Sequence, residues 1–97
     1  MKIAQSEALA EGGSMEVLVD QQILAIFRHN GSLYALDGMC AHQGGPLAEG
    51  SVQNDCVTCP WHGWQYELKS GVQTINRQPL QTTYLIRELE GRIEVFL

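Results

Sequence analysis

Two short clusters of cysteine and histidine constrain this sequence more than any other feature. The first is Cys40-Ala41-His42 and the second is Cys59-Pro60-Trp61-His62, with sixteen residues between them. Each cluster supplies one thiolate and one imidazole, and glycines lie close to both. Such ligands in two short loops predict a metal site. The candidate ligands are Cys40, His42, Cys59 and His62.

Two kinds of metal site fit these four ligands. A structural zinc ion accepts two cysteines and two histidines, but the common zinc spacing pairs cysteine with cysteine and histidine with histidine. In this sequence each cluster supplies a mixed pair. A mixed pair suits a binuclear iron–sulfur centre with two cysteines on one iron and two histidines on the other. The spacing favours the iron–sulfur centre and leaves zinc as the alternative.

The residues around both clusters resemble the metal-binding loops of Rieske [2Fe-2S] proteins. The resemblance rests on CAHQGGPLAEG at residues 40–50 and CPWHGWQYEL at residues 59–68, with GSLYAL at residues 31–36 as the entry strand. It implies one [2Fe-2S] cluster, with Cys40 and Cys59 on one iron and His42 and His62 on the other. It also implies an all-β fold, an antiparallel β-sandwich or barrel with a small cluster-binding subdomain of two loops.

The pattern of apolar residues independently predicts an all-β chain. Apolar and β-branched runs alternate with Gly, Asn, Asp and Pro at short intervals, which is typical of sandwiches and barrels. A length of 97 residues suits one domain, so we expect a single domain over residues 1–97. Asn30-Gly31 and Glu90-Gly91 predict hairpin turns, and Ser6–Ala10 is the one weakly helical segment. The predicted strands are Met15–Val19, Ile23–Arg28, Ser32–Leu36, Cys56–Thr58, Gln65–Glu67, Tyr84–Glu88 and Arg92–Phe96.

The resemblance also bears on the reduction potential. High-potential members of the family carry an additional cysteine in each loop, joined by a disulfide, and the matching positions here are Gly45 and Trp61. A serine that donates to a cluster sulfur in those members corresponds to Trp64, whereas the donating tyrosine corresponds to Tyr66. We therefore expect a cluster of low reduction potential, and we expect the Tyr66 hydroxyl to raise that potential.

Charge and composition exclude several classes of partner. The net charge of −5 argues against nucleic acid, because phosphate binding requires a basic surface. No stretch has the roughly 18 apolar residues of a membrane span, and residues 1–7 lack the apolar region of a secretory signal. Three cysteines imply no disulfide framework, so we expect a cytoplasmic protein. We also expect it to be monomeric when isolated.

The function expected from the resemblance is one-electron transfer without catalysis. Stand-alone Rieske ferredoxins pass electrons from a flavin-dependent reductase to a terminal oxygenase, often an aromatic-ring dioxygenase. Two alternatives remain: a small electron-transfer subunit that serves a nitrite reductase large subunit, and a redox-inert zinc-binding interaction module. An oxygenase is excluded, because its iron site needs two further histidines and a carboxylate, and only His29 remains.

Other residues receive structural interpretations. We expect His29 to be an exposed residue beside a turn, and Cys56 to be a buried structural thiol. Trp61 and Trp64 are expected to pack beside the cluster loops. Pro79, within Asn76–Gln81, predicts a third ordered loop, and it resembles the proline of the loop that covers the cluster in Rieske proteins.

Overall fold

The chain folds into nine described strands and two short 3-10 turns. The computed structural model describes residues 2–41, 44–61 and 63–97. The 3-10 turns are Ser6–Ala8 and Leu47–Glu49. The strands are β1 (Lys2–Gln5), β2 (Ser14–Val19), β3 (Gln22–His29), β4 (Ser32–Asp37), β5 (Ser51–Gln53), β6 (Cys56–Thr58), β7 (Gln65–Glu67), β8 (Thr83–Leu89) and β9 (Arg92–Phe96).

The larger sheet is a six-stranded, nearly closed antiparallel barrel. Its strands follow the order β1-β9-β8-β4-β3-β2. All of its strand pairs are antiparallel, and the β2–β3 register runs from Ser14 opposite Phe27 to Val19 opposite Gln22. Alternate residues of β9, including Ile93 and Val95, point into the barrel. The all-β prediction is confirmed.

The smaller sheet, β5-β6-β7, belongs to a segment inserted between two neighbouring strands of the barrel. The insert covers residues 38–82, between the end of β4 and the start of β8. Strands β4 and β8 pair directly, with Leu36 opposite Thr83. At the junction, the amide of Asp37 donates to the carbonyl of Thr82 at 2.8 Å. Both Cys/His clusters lie within this insert.

Strand β3 is buried on both faces and separates two apolar cores. Leu24 and Ile26 pack with the barrel interior, whereas Ala25 and Phe27 pack against the insert. The uninterrupted apolar run Ile23–Phe27 is what such a strand requires, because neither face meets water. The insert therefore shares a wall with the barrel, and the core on its side of that wall contains both predicted cysteine ligands.

Tight hairpins connect the strands, and several need backbone conformations that most residues avoid. Asn30 (φ 52°) and Gly31 (φ 78°) form the predicted turn, and Glu90 and Gly91 form the second one. Asp20-Gln21 and Asn54-Asp55 adopt the same positive φ at both central positions. This geometry matches the twist of the flanking strands. The turn at Asp20-Gln21 contains no glycine, so the sequence did not predict it.

The structure confirms the predicted strands and adds two. The bounds of β6, β7 and β9 agree with the prediction, whereas β2, β3, β4 and β8 are each longer by one or two residues. Strands β1 and β5 were not predicted, and the helical segment is shorter than expected. Within residues 2–41, 44–61 and 63–97, no helix has the length and apolar character needed to cross a lipid bilayer.

Replacing Gly71 by alanine is expected to destabilise the fold more than the same change at Gly91. Both glycines have positive φ (75° and 76°), but a Cβ at Gly71 would overlap the carbonyl oxygen of Gln81, whereas one at Gly91 meets no atom within 4 Å. The left-handed conformation costs alanine about 1–2 kcal/mol, and overpacking adds about 1–3 kcal/mol. Urea unfolding followed by circular dichroism measures both variants, and equal losses would contradict the clash.

The ion pair between Arg28 and Glu88 is expected to make stability depend on acid pH. Arg28 donates to both carboxylate oxygens of Glu88, at 3.2 and 2.8 Å, and lowers the pKa of that carboxyl to about 2. Because this pKa lies below the ordinary 4.5, the stabilisation is present above pH 4.5 and is lost as the pH falls towards 2.

Thermal unfolding of Glu88→Gln should therefore vary less with pH across that acid range than unfolding of the unaltered chain. Exposed Glu16, on β2, provides the control variant Glu16→Gln. Parallel pH profiles for the unaltered chain and Glu88→Gln would show that the ion pair contributes nothing.

Candidate metal centre

The two cluster loops are closed in the same way. The amide of Cys40 donates to the carbonyl of Gly45 at 2.8 Å, and the amide of Cys59 donates to the carbonyl of Trp64 at 2.7 Å. Each loop thus returns to its cysteine after five residues. In each loop the residue four positions after the cysteine is a glycine with φ 74°, namely Gly44 and Gly63. Glycine adopts this conformation without strain, so the sequence provides the turn that each loop needs.

Both cysteine thiols lie in the core rather than at the surface. Cys40 is 3% exposed and Cys59 is 1% exposed, and both belong to the apolar cluster that includes Phe27, Leu36 and Val57. Burial is the main cause that raises the pKa of Cys59, and the neighbouring Cys40 thiol raises it further. Two thiols from different loops therefore meet in a place where a thiolate needs a cation beside it.

A group that can donate a hydrogen bond lies beside each of the two sulfur atoms. The Tyr66 hydroxyl lies 3.1 Å from Sγ of Cys40, and Tyr66 is fully buried. The backbone amide of Trp61 donates to Sγ of Cys59 at 3.4 Å, which lowers the pKa of that thiol against the effect of burial. Sulfur that carries negative charge is the acceptor that such donors favour. The donors are therefore arranged for thiolates.

The absence of a side chain at Gly45 allows the loops to approach each other. A Cβ added there would lie 2.8 Å from Cγ of Trp61 and 3.0 Å from Sγ of Cys59. The indole of Trp61 thus covers Gly45, as the packing prediction requires, although Trp61 remains 49% exposed. Trp64 packs against the apolar cluster from the second loop. Close approach of the two loops is what a ligand set shared between them demands.

The structure describes half of the predicted ligand set. His42 and His62 lie outside the described residues, so the assignment of Cys40, His42, Cys59 and His62 as ligands stays a prediction. Within the described ranges, no group of three or more His, Cys, Asp or Glu side chains forms a metal site. The two thiols are the described residues that meet at the site.

The described residues fit the cysteine side of an iron–sulfur cluster. Two thiols from equivalent loops converge, each with a donor at its sulfur, and both are shielded by apolar side chains. Iron-bound thiolates prefer such partly dry, hydrogen-bonded surroundings, because these donors stabilise the sulfur charge. The local chemistry therefore agrees with the cofactor that the resemblance implies.

Two interpretations of single residues were wrong. His29 is half-buried rather than exposed, and its Nε2 lies 2.9 Å from Oδ1 of Asp55, which joins the β3–β4 hairpin to the β5–β6 hairpin. Cys56 is half-buried, whereas its neighbour Val57 faces the core. Burial and the nearby Glu67 carboxylate raise the pKa of the Cys56 thiol. Neither residue joins the two convergent thiols.

Sequence reasoning missed the role of Gln81 within the third loop. No strand or helix occurs at 76–81, as predicted, and Pro79 is exposed. The hydrogen bonds from this segment to the first cluster loop come from Gln81. The Gln81 side chain is buried and bonds to the backbone of Asp37, Met39 and Ala41. A glutamine between two ordinary loop residues gives no local signal of such a contact.

Comparison with known sequences identifies one family over most of the chain. The sequence profile of the Rieske [2Fe-2S] domain matches residues 1–85. The anthranilate 1,2-dioxygenase ferredoxin subunit of Burkholderia cepacia is 32% identical over 77 residues, which cover 77% of this chain and 70% of that protein. A cholesterol 7-desaturase of Ciona intestinalis is 38% identical over 68% of this chain.

Several curated relatives are much longer than this chain. The matched region spans 14% of the Ciona intestinalis desaturase, and it spans 52% of a human Rieske domain-containing protein. In such relatives the similarity concerns one part of a larger molecule.

Solved structures share the fold along nearly the whole chain. A structure described as a complex of reduced oxygenase and oxidized ferredoxin in carbazole 1,9a-dioxygenase aligns with a TM-score of 0.87 and 24% identity, covering 98% of this chain and 90% of that chain. A putative small subunit of NADPH nitrite reductase aligns with a TM-score of 0.90 and 18% identity, covering 100% and 97%. Together with the profile match, these comparisons show that the chain belongs to the Rieske [2Fe-2S] domain family, whose cofactor is one [2Fe-2S] cluster.

Proposed function

We propose that this chain, as a single Rieske domain over residues 1–97, is a low-potential ferredoxin of the cytoplasm. It carries one electron at a time from a flavin-dependent reductase to a terminal oxygenase such as an aromatic-ring dioxygenase. The observation that carries the proposal is the convergence of two buried thiols, Cys40 and Cys59, each with a hydrogen-bond donor at its sulfur. His42 and His62 would complete the ligand set.

When bound, the cluster supplies a one-electron couple in a range of roughly −150 to +300 mV. The chain determines where in that range the couple lies. Reduction adds negative charge, and a donor at a ligand sulfur stabilises the reduced state more than the oxidised state. The Tyr66 hydroxyl and the Trp61 amide are such donors. Apolar side chains around the thiols exclude water and strengthen both interactions.

A potential at the low end of this range is favoured because three positions lack the cysteines and the serine of high-potential relatives. Gly45 and Trp61 occupy the positions that carry disulfide cysteines in high-potential relatives, and they lie against each other here. Trp64 replaces the serine whose hydroxyl would donate to the cluster. Only the tyrosine donor of that pair is kept, as Tyr66. Fewer donors leave the reduced state less stabilised, which lowers the potential.

The sequence offers too few histidines for a second, catalytic iron site. A non-haem iron oxygenase needs two histidines and a carboxylate beyond those of the cluster. Once His42 and His62 are assigned, His29 is the remaining histidine, and its Nε2 pairs with Asp55. Electron transfer to a separate oxygenase is therefore the proposed role, in agreement with the ferredoxin subunit and the oxygenase–ferredoxin complex among the similar proteins.

A second role remains open for the same cofactor. The similarity to a putative small subunit of nitrite reductase supports an electron-transfer component of a nitrite-reductase-like system. Both roles need the same cluster and differ in the partner that accepts the electron. Reduced protein mixed with each purified acceptor in a stopped-flow experiment separates them, because only the true acceptor reoxidises the cluster rapidly.

The four proposed ligands should be required for the cluster, whereas the remaining cysteine and histidine should not. Anaerobically purified protein should contain about two irons and two sulfides per chain and should bleach with dithionite. Alanine at Cys40, His42, Cys59 or His62 should remove the colour and lower the thermal midpoint, because metal binding is coupled to folding.

Cys56→Ser and His29→Ala are the matched controls, since each changes the one residue of its type outside the ligand set. Both should keep full iron and sulfide content. Colourless unaltered protein with one zinc per chain would instead support the zinc-binding module, and would overturn the proposed function.

Tyr66→Phe should lower the midpoint potential. Iron-bound thiolate has no proton, so the hydroxyl at 3.1 Å must be the donor to Cys40. One hydrogen bond is worth about 1 kcal/mol, which corresponds to a decrease of roughly 40 mV at 59 mV per tenfold change. Protein-film voltammetry measures the shift. Tyr34→Phe is the control because Tyr34 packs against the same apolar cluster, and equal potentials for both variants would rule out the donor role.

A further inference from the structure

The side chain of Gln81 bonds to the backbone of the segment that enters the first cluster loop. Its amide nitrogen donates to the carbonyls of Asp37 at 2.8 Å and Met39 at 2.6 Å, and its carbonyl oxygen accepts from the amide of Ala41 at 3.0 Å. One glutamine thus bonds to three backbone groups within five residues, much as a neighbouring strand would. Gln81 itself is 3% exposed, so these bonds are sheltered from water.

The backbone of Gln81 is held from the opposite side. Its amide donates to the carbonyl of Gly71 at 3.1 Å, and its own carbonyl lies directly where a side chain at position 71 would be. Gly71 follows the exit strand of the second cluster loop, and its amide donates to Glu67 on β7 at 2.8 Å. Gln81 therefore connects the segment after the second loop to the segment that begins the first loop.

Two of the three bonded residues flank the proposed ligand Cys40. Met39 precedes Cys40, and Ala41 lies between Cys40 and His42. Ala41 is exposed, so without the Gln81 side chain its amide would bond to water and the loop would be free to shift. Two further backbone bonds lie within this loop: the amide of Cys40 donates to Gly45, and the amide of Gly44 donates to the carbonyl of Cys40 at 2.7 Å. The Ala41–Gln81 bond thus holds the backbone at the residue that follows Cys40.

We propose that Gln81 is a positioning residue for the cluster. It holds the backbone on both sides of Cys40, so that the first loop presents this cysteine in one orientation. This inference rests on the cluster site of the proposed function and adds a residue from a third segment of the chain to it. Hydrogen bonds that orient ligands influence both the retention of a metal and its electronic state.

A neighbouring glutamine supplies a matched control. Gln73 is equally buried, at 3% exposure, and its side chain accepts two backbone amides, from Ile75 and Asn76. Those bonds remain within the turn that follows Gln73 and do not reach either cluster loop. Gln81→Met and Gln73→Met each remove a buried amide while keeping a similar volume, so a general loss of stability affects both variants.

The test measures cluster retention and the spectrum of the reduced protein in both variants. Release of iron to a chelator, followed by visible absorbance, should be about tenfold faster for Gln81→Met than for Gln73→Met. In Gln81→Met the backbone groups beside Cys40 lose their partner, whereas in Gln73→Met the loss is confined to the turn that follows residue 73. Leaving a buried polar group without a partner costs free energy that corresponds to about a factor of ten or more. The electron paramagnetic resonance g values and the midpoint potential should shift only for Gln81→Met. Equal release rates and unchanged g values in both variants would overturn the proposal.

Hydrogen exchange tests the same bond in the unaltered chain and without reference to electron transfer. The amide of Ala41 should exchange slowly although the residue is exposed, and fragmentation mass spectrometry resolves it from its neighbours. Fast exchange would overturn the positioning role even if Gln81→Met failed to fold. Protein that lacks iron and sulfide but protects this amide would overturn the proposed function and leave the Gln81 contact intact, so the two failures are distinguishable.

Discussion

The burial of two thiols in one apolar cluster is the interaction on which this structure depends. Strand β3 has both faces covered, and the face that carries Ala25 and Phe27 supports the insert. Cys40 and Cys59 belong to that same cluster, so the packing that attaches the insert to the barrel also brings the two sulfurs together. Close-packed interiors tolerate little displacement. The position of the sulfurs is therefore determined by the core and not by the loops alone.

Thiolates in an apolar core need their negative charge compensated, and the site does so with hydrogen-bond donors and a place for a cation. Burial raises the pKa of the Cys59 thiol, so a cation must compensate for the charge of the thiolate. The donors from Tyr66 and Trp61 contribute, but neither carries a full positive charge. Bound iron would supply that charge, and the neutral imidazoles of the proposed ligand set would leave it undiminished. A mixed cysteine and histidine ligand set is thus suited to a site of low polarity, because the oxidised centre is close to neutral.

Much of this arrangement could be predicted from the sequence, and the omissions have physical causes. The bounds of β6, β7 and β9 followed from apolar alternation between turn residues, and Asn30-Gly31 identified its hairpin through backbone preference. Strand β5 was missed because three residues with one half-buried position carry no periodic signal. The turn at Asp20-Gln21 was missed because glutamine rarely adopts φ 67°. His29 and Gln81 were misjudged or overlooked because their partners, Asp55 and the backbone of residues 37–41, are distant in sequence and are brought close only by the fold.

The pairing of β4 with β8 has a consequence for how such a domain changes over time. The insert departs and returns at adjacent positions of one sheet, and a single backbone bond from Asp37 to Thr82 closes the gap. Because both ends of the insert meet at paired strands, the number of residues between them does not by itself set the β4–β8 register. A module of another size could therefore occupy the same opening in the sheet, provided that it offers an apolar surface to cover Ala25 and Phe27 of the shared strand.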